Sequence, residues 1–367
     1  MSTAPEPPTE RGDRWVPATL TEVAERAGVS RATAARAVGG YGSVSAPARE
    51  RVLAAAAELK YRPNVIARNT RTGTTTTIGV VVADISNPFF GHCTRGISDA
   101  ARTGGFDIVV VNTDEELQSE RAAVQLLLDQ RVAGLVVAPA SRTDGRHLVE
   151  AQEAGVPVVL LDRRVKGLTA DRVFSDNYGG AEEAMRRLVG AGHRRVAYVS
   201  SAAGPQGASN DAELDLDDLI TSAGDRIRAY LTSLEEVGVR QPREYLRLCP
   251  YGEDAAYTAT AELLALPVPP SALFASDSVI ALGVLRAVHD AGLVVPDQIS
   301  VVAGDEASWA RVTTPALSTV VQPVYELGRQ SVRLLLERLA EPAGAPRDLV
   351  LPAHFVDRDS TGEAPRT

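Results

Sequence analysis

Cysteine is scarce in this 367-residue chain, and the two present, Cys93 and Cys249, have no CxxC spacing and form no ligand cluster with histidines. That excludes a disulfide framework and a zinc module, and two buried, inert thiols are the expectation. Long apolar runs are missing as well. Stretches such as 156–161 (VPVVLL) fall far below the roughly 18 residues of a membrane span, and residues 1–17 hold no signal-peptide apolar core. A cytoplasmic location without a membrane partner is expected. Walker-type GxxxxGK[ST] and GxSxG motifs are absent, and the five histidines (His92, His147, His193, His289, His354) fall at no metal-ligand spacing. The expectation is therefore a protein that is not an enzyme and carries no cofactor or metal; His193, in a helix-to-strand turn, reads as structural. Lysine is nearly absent too. Lys60 and Lys166 are the only two, so basic character is carried by arginine, the side chain suited to bidentate contacts with guanine edges and phosphates.

What is present is enough apolar residue, 44% of the chain, for two or three packed units. The net charge of −9 conceals a split: residues 1–72 hold 11 Lys+Arg against 7 Asp+Glu, while the remainder is strongly acidic. After a polar, proline-bearing tail over 1–17, Thr19 with Glu22 makes a capping box, and Leu20, Val23, Ala24 and Ala27 fall on one helical face. Gly28 ends that helix. Ser30 caps a second, running to about Val38, and Ser45 with Pro47 starts a third whose Val52, Leu53, Ala56 and Leu59 are expected inward. From Ile78 the period changes. IGVVVAD, FDIVVVN, GLVVAPA, VPVVLLD, RRVAYVS, ALFASD and ISVVAGD read as strands alternating with helices, the pattern of parallel sheets covered on both faces.

Two short helices joined by the turn AGVS, the second presenting Ser30, Arg31, Thr33 and Arg36, suit a helix-turn-helix whose second helix enters the major groove. By chemistry Arg31 and Arg36 donate to guanine while Ser30 and Thr33 reach phosphates; a solvated polar face is the alternative. The segments TLTEVAERAGVS, VSAPARERVLAAAAELKYRPN and IGVVVADISNPFF resemble the LacI/GalR family of transcription regulators. The resemblance extends through PVVLLDRRV, SDNYGGAEEAMRRL, GHRRVAYVS, ALFASDSVIALGVLRA, PDQISVV and LSTVVQPVYELG, over roughly residues 18–356.

The resemblance implies an N-terminal all-α helix-turn-helix (three helices plus a hinge helix) followed by a two-lobed α/β periplasmic-binding-protein-like domain with parallel sheets. The implied divisions are a flexible tail at 1–17, a DNA-binding domain at 18–62, a hinge helix and linker at 63–77, an effector-binding and dimerisation domain at 78–356, and a tail at 357–367. Within the large domain, lobe 1 takes about 78–190 and 324–339, and lobe 2 about 191–323 and 340–356. The implied DNA-facing residues are Thr19, Ser30, Arg31, Ala32, Thr33 and Arg36, with Arg31, Ala32 and Arg36 at base-reading positions, then Asn64, Ala67, Arg68 and Arg71 in the hinge. Two departures bear on DNA. Ala34 and Ala35 stand where relatives carry a packing valine and a phosphate-reaching serine, and Thr70 stands where a leucine normally wedges the minor groove, so a weaker DNA bend is expected.

The implied effector residues are Asn87, Phe89 and Phe90 in the first lobe, then Asp176, Asn177, Arg226, Tyr251, Ser276, Asp277, Asp305 and Gln322. Carboxylates and an arginine suit vicinal hydroxyls, and Phe90 or Tyr251 suits an apolar sugar face; strand-end capping is the alternative for each, and Asp277 also reads as a helix N-cap. Gly304, where the family has an aromatic, and the long acidic insertion 204–225 point to an unusual ligand; that insertion lacks an EF-hand's turn glycine and terminal glutamate and reads as a solvated loop. The expected function is a cytoplasmic, homodimeric repressor of palindromic operator DNA controlled by a carbohydrate effector, with the hinge as the bistable element. Two rivals remain: a DNA-binding regulator with a degenerate cleft, and a solute-binding protein without DNA function.

Overall fold

The structure, a computed structural model, describes residues 18–61, 75–201, 216 and 219–366. The chain divides into two compact units, Met1–Thr74 and Thr75–Thr367.

The described part of the first unit is three helices: α1 (Leu20–Ala27), α2 (Arg31–Gly39) and α3 (Ala46–Glu58). Gly28 lies in the left-handed region (φ +64°), where a side chain would be strained, and reverses the chain between α1 and α2. The core is built from small residues, Val23, Ala24, Ala27, Ala34, Ala37, Val52 and Ala55, so the helices approach closely. Ala34 is fully buried there. One expected core residue is placed otherwise: Leu53 is half exposed, because α3 turns Val52 and Ala55 inward and Leu53, about 100° and about 160° around the helix from them, faces out.

The second unit holds two six-stranded sheets. The first runs in the order β11 (Asp348–Leu351), β5 (Asp171–Ser175), β4 (Val158–Leu161), β3 (Gly134–Val137), β1 (Thr77–Val82), β2 (Asp107–Asn112), all parallel. The second runs β12 (His354–Val356), β10 (Ser318–Val321), β9 (Ser300–Ala303), β8 (Ala272–Ala275), β6 (Val196–Ser201), β7 (Leu246–Cys249), parallel except for β12. Period-two alternation gives each sheet two apolar faces. Val196 and Tyr198 of β6 pack with Phe274 under α7 (Asn177–Gly190) and α8 (Thr221–Glu236), while Ala197 and Val199 face α9 (Glu253–Leu264) and α10 (Ser278–Asp290). Around the first sheet, α4 (Pro88–Thr103) and α11 (Val324–Ala340) cover one face, and α5 (Leu117–Asp129) and α6 (Arg146–Glu153) the other.

The lobe boundaries differ from those expected in three places. The α7 helix lies in lobe 2, because Ala181, Ala184, Met185 and Leu188 pack on Tyr198 and Phe274; the first crossover is therefore at Asp176 rather than after 190. Residues 348–351 belong to lobe 1, since β11 pairs with β5 from Asp348↔Arg172 to Leu351↔Ser175. Residues 357–366 are not a tail: Ser360 is buried, its hydroxyl donates to the Val301 carbonyl at 2.7 Å, and the Ala364 N–H donates to the Ala191 carbonyl at 2.8 Å. His193, fully buried, ties this segment to the sheet through Ser271 (2.8 Å), Ser300 (3.1 Å) and the Gly362 carbonyl (3.2 Å). Only short strand-length signals distinguish β11 and β12 in sequence, and their pairing partners, β5 far back in the chain for β11 and β10 for β12, decide their lobe.

Candidate effector cleft and nucleic-acid face

In the first unit the predicted residues are largely cap residues of their own helices. The Thr19 hydroxyl accepts from the Glu22 N–H at 3.3 Å, and the Glu22 carboxylate accepts from the Thr19 N–H at 2.6 Å, which holds that carboxyl below its usual range. Ser30 Oγ accepts from the Thr33 N–H at 3.2 Å and lies 2.9 Å from Thr33 Oγ1. The α2 sequence, RATAARAVG, has no acidic residue, and Arg31 and Ala32 are exposed on its first turn. A helix N-terminus with exposed N–H groups and an arginine favours anions. Arg36 is half-buried and reaches Thr33 Oγ1 at 3.5 Å, while its Nε is buried without a partner. Asn64, Ala67, Arg68, Thr70 and Arg71 lie outside the described residues.

In the second unit a cleft of about 460 Å³ opens at the carboxyl ends of both sheets, where open α/β sheets hold ligands. Nine predicted residues line it: Asn87, Phe89 and Phe90 beyond β1, then Arg226, Tyr251, Ser276, Asp277, Asp305 and Gln322 from the second lobe. Asn87 caps α4 through the Phe89 N–H (2.9 Å) and donates from Nδ2 to the Tyr251 hydroxyl of the other lobe (2.9 Å). Burial and the surrounding carboxylates push the Tyr251 phenol up. Asp277 does two things at once: Oδ1 caps α10 through the Val279 and Ile280 N–H groups, each at 3.0 Å, while Oδ2 accepts from Ser276 Oγ at 2.8 Å. Burial raises its carboxyl, and with Asp277 nearby it pushes the Asp305 carboxyl up to about 7.

Two predicted residues are not lining residues. Asp176 caps α7 by accepting from the Gly179 N–H at 2.9 Å and points to that turn, not to the cleft. Asn177 is buried behind the cleft and accepts from Arg226 Nε at 3.0 Å, which orients the guanidinium toward the Ser276 carbonyl (3.0 Å). Gly304 likewise has a packing cause: a Cβ there would sit 2.2 Å from the Ser276 carbonyl oxygen, so the strand ends of β8 and β9 leave no room for a side chain.

Sequence reasoning missed the first-lobe charges. Asp84, Asp114, Glu115, Asp162 and Arg163 all line the cleft. Arg163 grips Glu115 with both terminal nitrogens at 2.6 Å, donates to the Pro139 carbonyl at 3.0 Å, and stands 5.6 Å from the Phe90 ring centroid. Asp114 (φ +52°), Glu115 (φ +61°) and Asp162 (φ +63°) are non-glycine residues held in left-handed backbone, a strain that concentrates at ligand sites. Acids placed directly after parallel strands, in VVVNTDEE and VVLLDRR, are the signal that was available.

Residues 19–64 match the model of bacterial regulatory proteins of the lacI family, and residues 185–361 that of the periplasmic binding protein-like domain. The ribose operon repressor of Halalkalibacterium halodurans is 32% identical over 94% of this chain and 97% of its own length. The lac repressor dimer solved with operator and an anti-inducer superposes with a TM-score of 0.78 at 27% identity, covering 95% of this chain and all of that one. A lacI-family regulator of Enterococcus faecium solved with bound ribose gives 0.67 at 28% identity, over 78% of this chain and 99% of its own. The two matched models thus fall on the helical unit and on the cleft-bearing unit, and the chain belongs to the lacI family of DNA-binding bacterial regulatory proteins.

Proposed function

We propose that this regulator is a repressor that binds a palindromic operator as a dimer, reads base edges with α2, and changes operator affinity when a small polyhydroxylated molecule occupies the cleft. The observation that carries the reading is the convergence of nine predicted side chains, from both lobes, on one cleft at the strand carboxyl ends. Polar side chains bracketed by Phe89, Phe90 and Tyr251 suit hydroxyl groups on one side and a ring face on the other. The ribose held by the E. faecium relative supports the same class of ligand. Arg31 is the side chain assigned to a guanine edge, and the α2 N-terminus with Ser30 and Thr33 is assigned to phosphates. Asn64, Ala67, Arg68 and Arg71 are assigned to the DNA backbone and minor groove. No helix among the described residues is long and apolar enough to cross a membrane, in keeping with action on DNA.

Coupling between cleft and operator of about 1–3 kcal/mol corresponds to a change of about 5 to 150-fold in operator affinity. Fluorescence anisotropy of the full chain on DNA from its own upstream region, against scrambled DNA and across a salt series, tests the DNA arm. Binding several hundred-fold above scrambled is expected, with a log–log salt slope reporting several released counterions. Sequence-blind binding with the same slope overturns the reading.

A further inference from the structure

The cleft is acidic beyond what a neutral ligand needs. Six carboxylates line it, Asp84, Asp114, Glu115, Asp162, Asp277 and Asp305, against two guanidiniums, those of Arg163 and Arg226. The hydrogen bonds of the guanidiniums go elsewhere, while their charge reaches Asp162 from Arg163 and Asp162, Asp277 and Asp305 from Arg226, two cations for a larger number of acids. Arg163 spends both terminal nitrogens on Glu115, and Arg226 spends Nε on Asn177 and Nη1 on the Ser276 carbonyl. Among the described lining residues, three buried acceptors have no donor, Asp162 Oδ1, Asp305 Oδ1 and Gln322 Oε1, and one buried donor, Arg163 Nε, has no acceptor. Their residues are 5%, 7%, 7% and 7% exposed, so solvent does not satisfy them in place of a ligand.

A molecule that completes this set brings donors in excess of acceptors and a positive charge. A sugar hydroxyl donates once and accepts as readily; an ammonium donates three times, accepts nothing and compensates buried carboxylates. A phosphate does the reverse and meets a wall of carboxylates. Asp162 follows β4 of lobe 1 and Asp305 follows β9 of lobe 2, and burial disfavours the charged form of both, so a cation held in the cleft restores that charged form on each lobe. The three left-handed acidic residues, Asp114, Glu115 and Asp162, are all on the lobe-1 wall, where backbone strain is retained to aim carboxylates into the cleft.

Resting on the reading of the cleft as an effector site, we infer that its ligand is a polyhydroxylated molecule bearing a protonated amine, an amino sugar or amino polyol, rather than a neutral or phosphorylated sugar. The minimal probe is a matched pair, tris(hydroxymethyl)aminomethane and pentaerythritol, which share a carbon bearing three hydroxymethyl groups and differ in ammonium against a fourth. D-glucosamine, D-glucose, N-acetyl-D-glucosamine and D-glucose 6-phosphate extend it. Calorimetry and thermal shift on the full chain, at fixed ionic strength and in a buffer free of primary amines, are expected to show each amine binding about tenfold or more tighter than its neutral partner. Glucose 6-phosphate is expected not to bind. Asp305→Asn and Asp162→Asn should each collapse the amine preference. Should either fail to fold, the exposed Asp114→Asn is expected to reduce that preference by a smaller factor.

Neutral partners binding as tightly as the amines, or no amine shifting the melting temperature at tens of millimolar, overturns the proposal. Operator anisotropy with the same compounds separates it from the regulator reading. A neutral sugar that occupies the cleft and moves operator affinity sinks the cationic ligand and keeps the regulator. Amines that bind yet leave operator affinity unchanged keep the cationic cleft and sink the coupling.

Discussion

The helical unit and the cleft treat charge in opposite ways. Arg31 stands exposed on the first turn of an acid-free helix, where a charge keeps its hydration and its field reaches a polyanion from a distance. Asp162, Arg163 and Asp305 are instead more than nine-tenths buried, where a charge persists only if something within reach compensates it. The first arrangement suits attraction to a long, repetitive partner, the second suits selection of one small molecule. Side-chain order follows the same division: the helical unit positions its polar groups through neighbours three residues away, the cleft through strand ends scattered over more than two hundred residues.

Five substitutions sharpen or break this comparison. The largest effect is expected from Gly304→Ala. Its Cβ meets the Ser276 carbonyl at 2.2 Å, so β8 and β9 must part, and about 3 kcal/mol of stability should disappear from the second unit's urea transition. A change under about 0.5 kcal/mol would mean that the ends of β8 and β9 part easily and do leave room for a side chain there.

Next is the pH profile of the ligand-free protein. Burial, with Asp277 adding, raises the Asp305 carboxyl to about 7, above its unfolded value, so the folded state holds the proton more tightly. Stability from this group is therefore full at low pH and is lost as pH rises from about 4 toward about 7. Asp305→Asn should flatten that fall and leave the variant more stable than the parent above pH 7 in melting curves. Parallel curves for both proteins would show that Asp305 is compensated within the protein.

Arg31→Ala should reduce operator affinity by about 5 to 150-fold with little change in melting temperature, and should relax sequence preference more than it changes the salt slope. Equal losses on operator and scrambled DNA would reassign Arg31 to phosphate. The smallest effect contrasts two serines at like positions. Ser30→Ala should destabilise the helical unit by about 1 kcal/mol, because its hydroxyl caps Thr33, whereas Ser45 makes no side-chain cap bond and Ser45→Ala should cost well under half as much.

Much of the helical unit was legible because its determinants are local. The Thr19–Glu22 box, the Gly28 turn and the Ser30 cap each operate within four residues, and all three occur as read. Leu53 escaped because the angle at which α3 meets its neighbours, which no local rule supplies, decides between Leu53 and Ala55 for the inward position. In the second unit the seven apolar runs are strands, but β5, β7 and β10 to β12 carry mixed or short signals and are strands by virtue of their partners. Asp176 and Asn177 show the same limit at the cleft. Both fall beside a strand end, yet a one-residue step of the turn sends one to a helix cap and the other behind Arg226.

By itself the sequence determined which chemistry is on offer: arginine in place of lysine, caps and a turn for a helix-turn-helix, apolar runs for buried strands, and acids at strand ends. These depend on residue identity and on neighbours a few positions away, so they survive in one dimension. Tertiary structure alone decided which acids share a cleft, that Arg163 and Arg226 are already engaged, that Gly304 is demanded by a carbonyl, and that residues 357–366 are woven into lobe 2. Each of those outcomes turns on desolvation and contact between residues remote in sequence, and only packing sets those quantities.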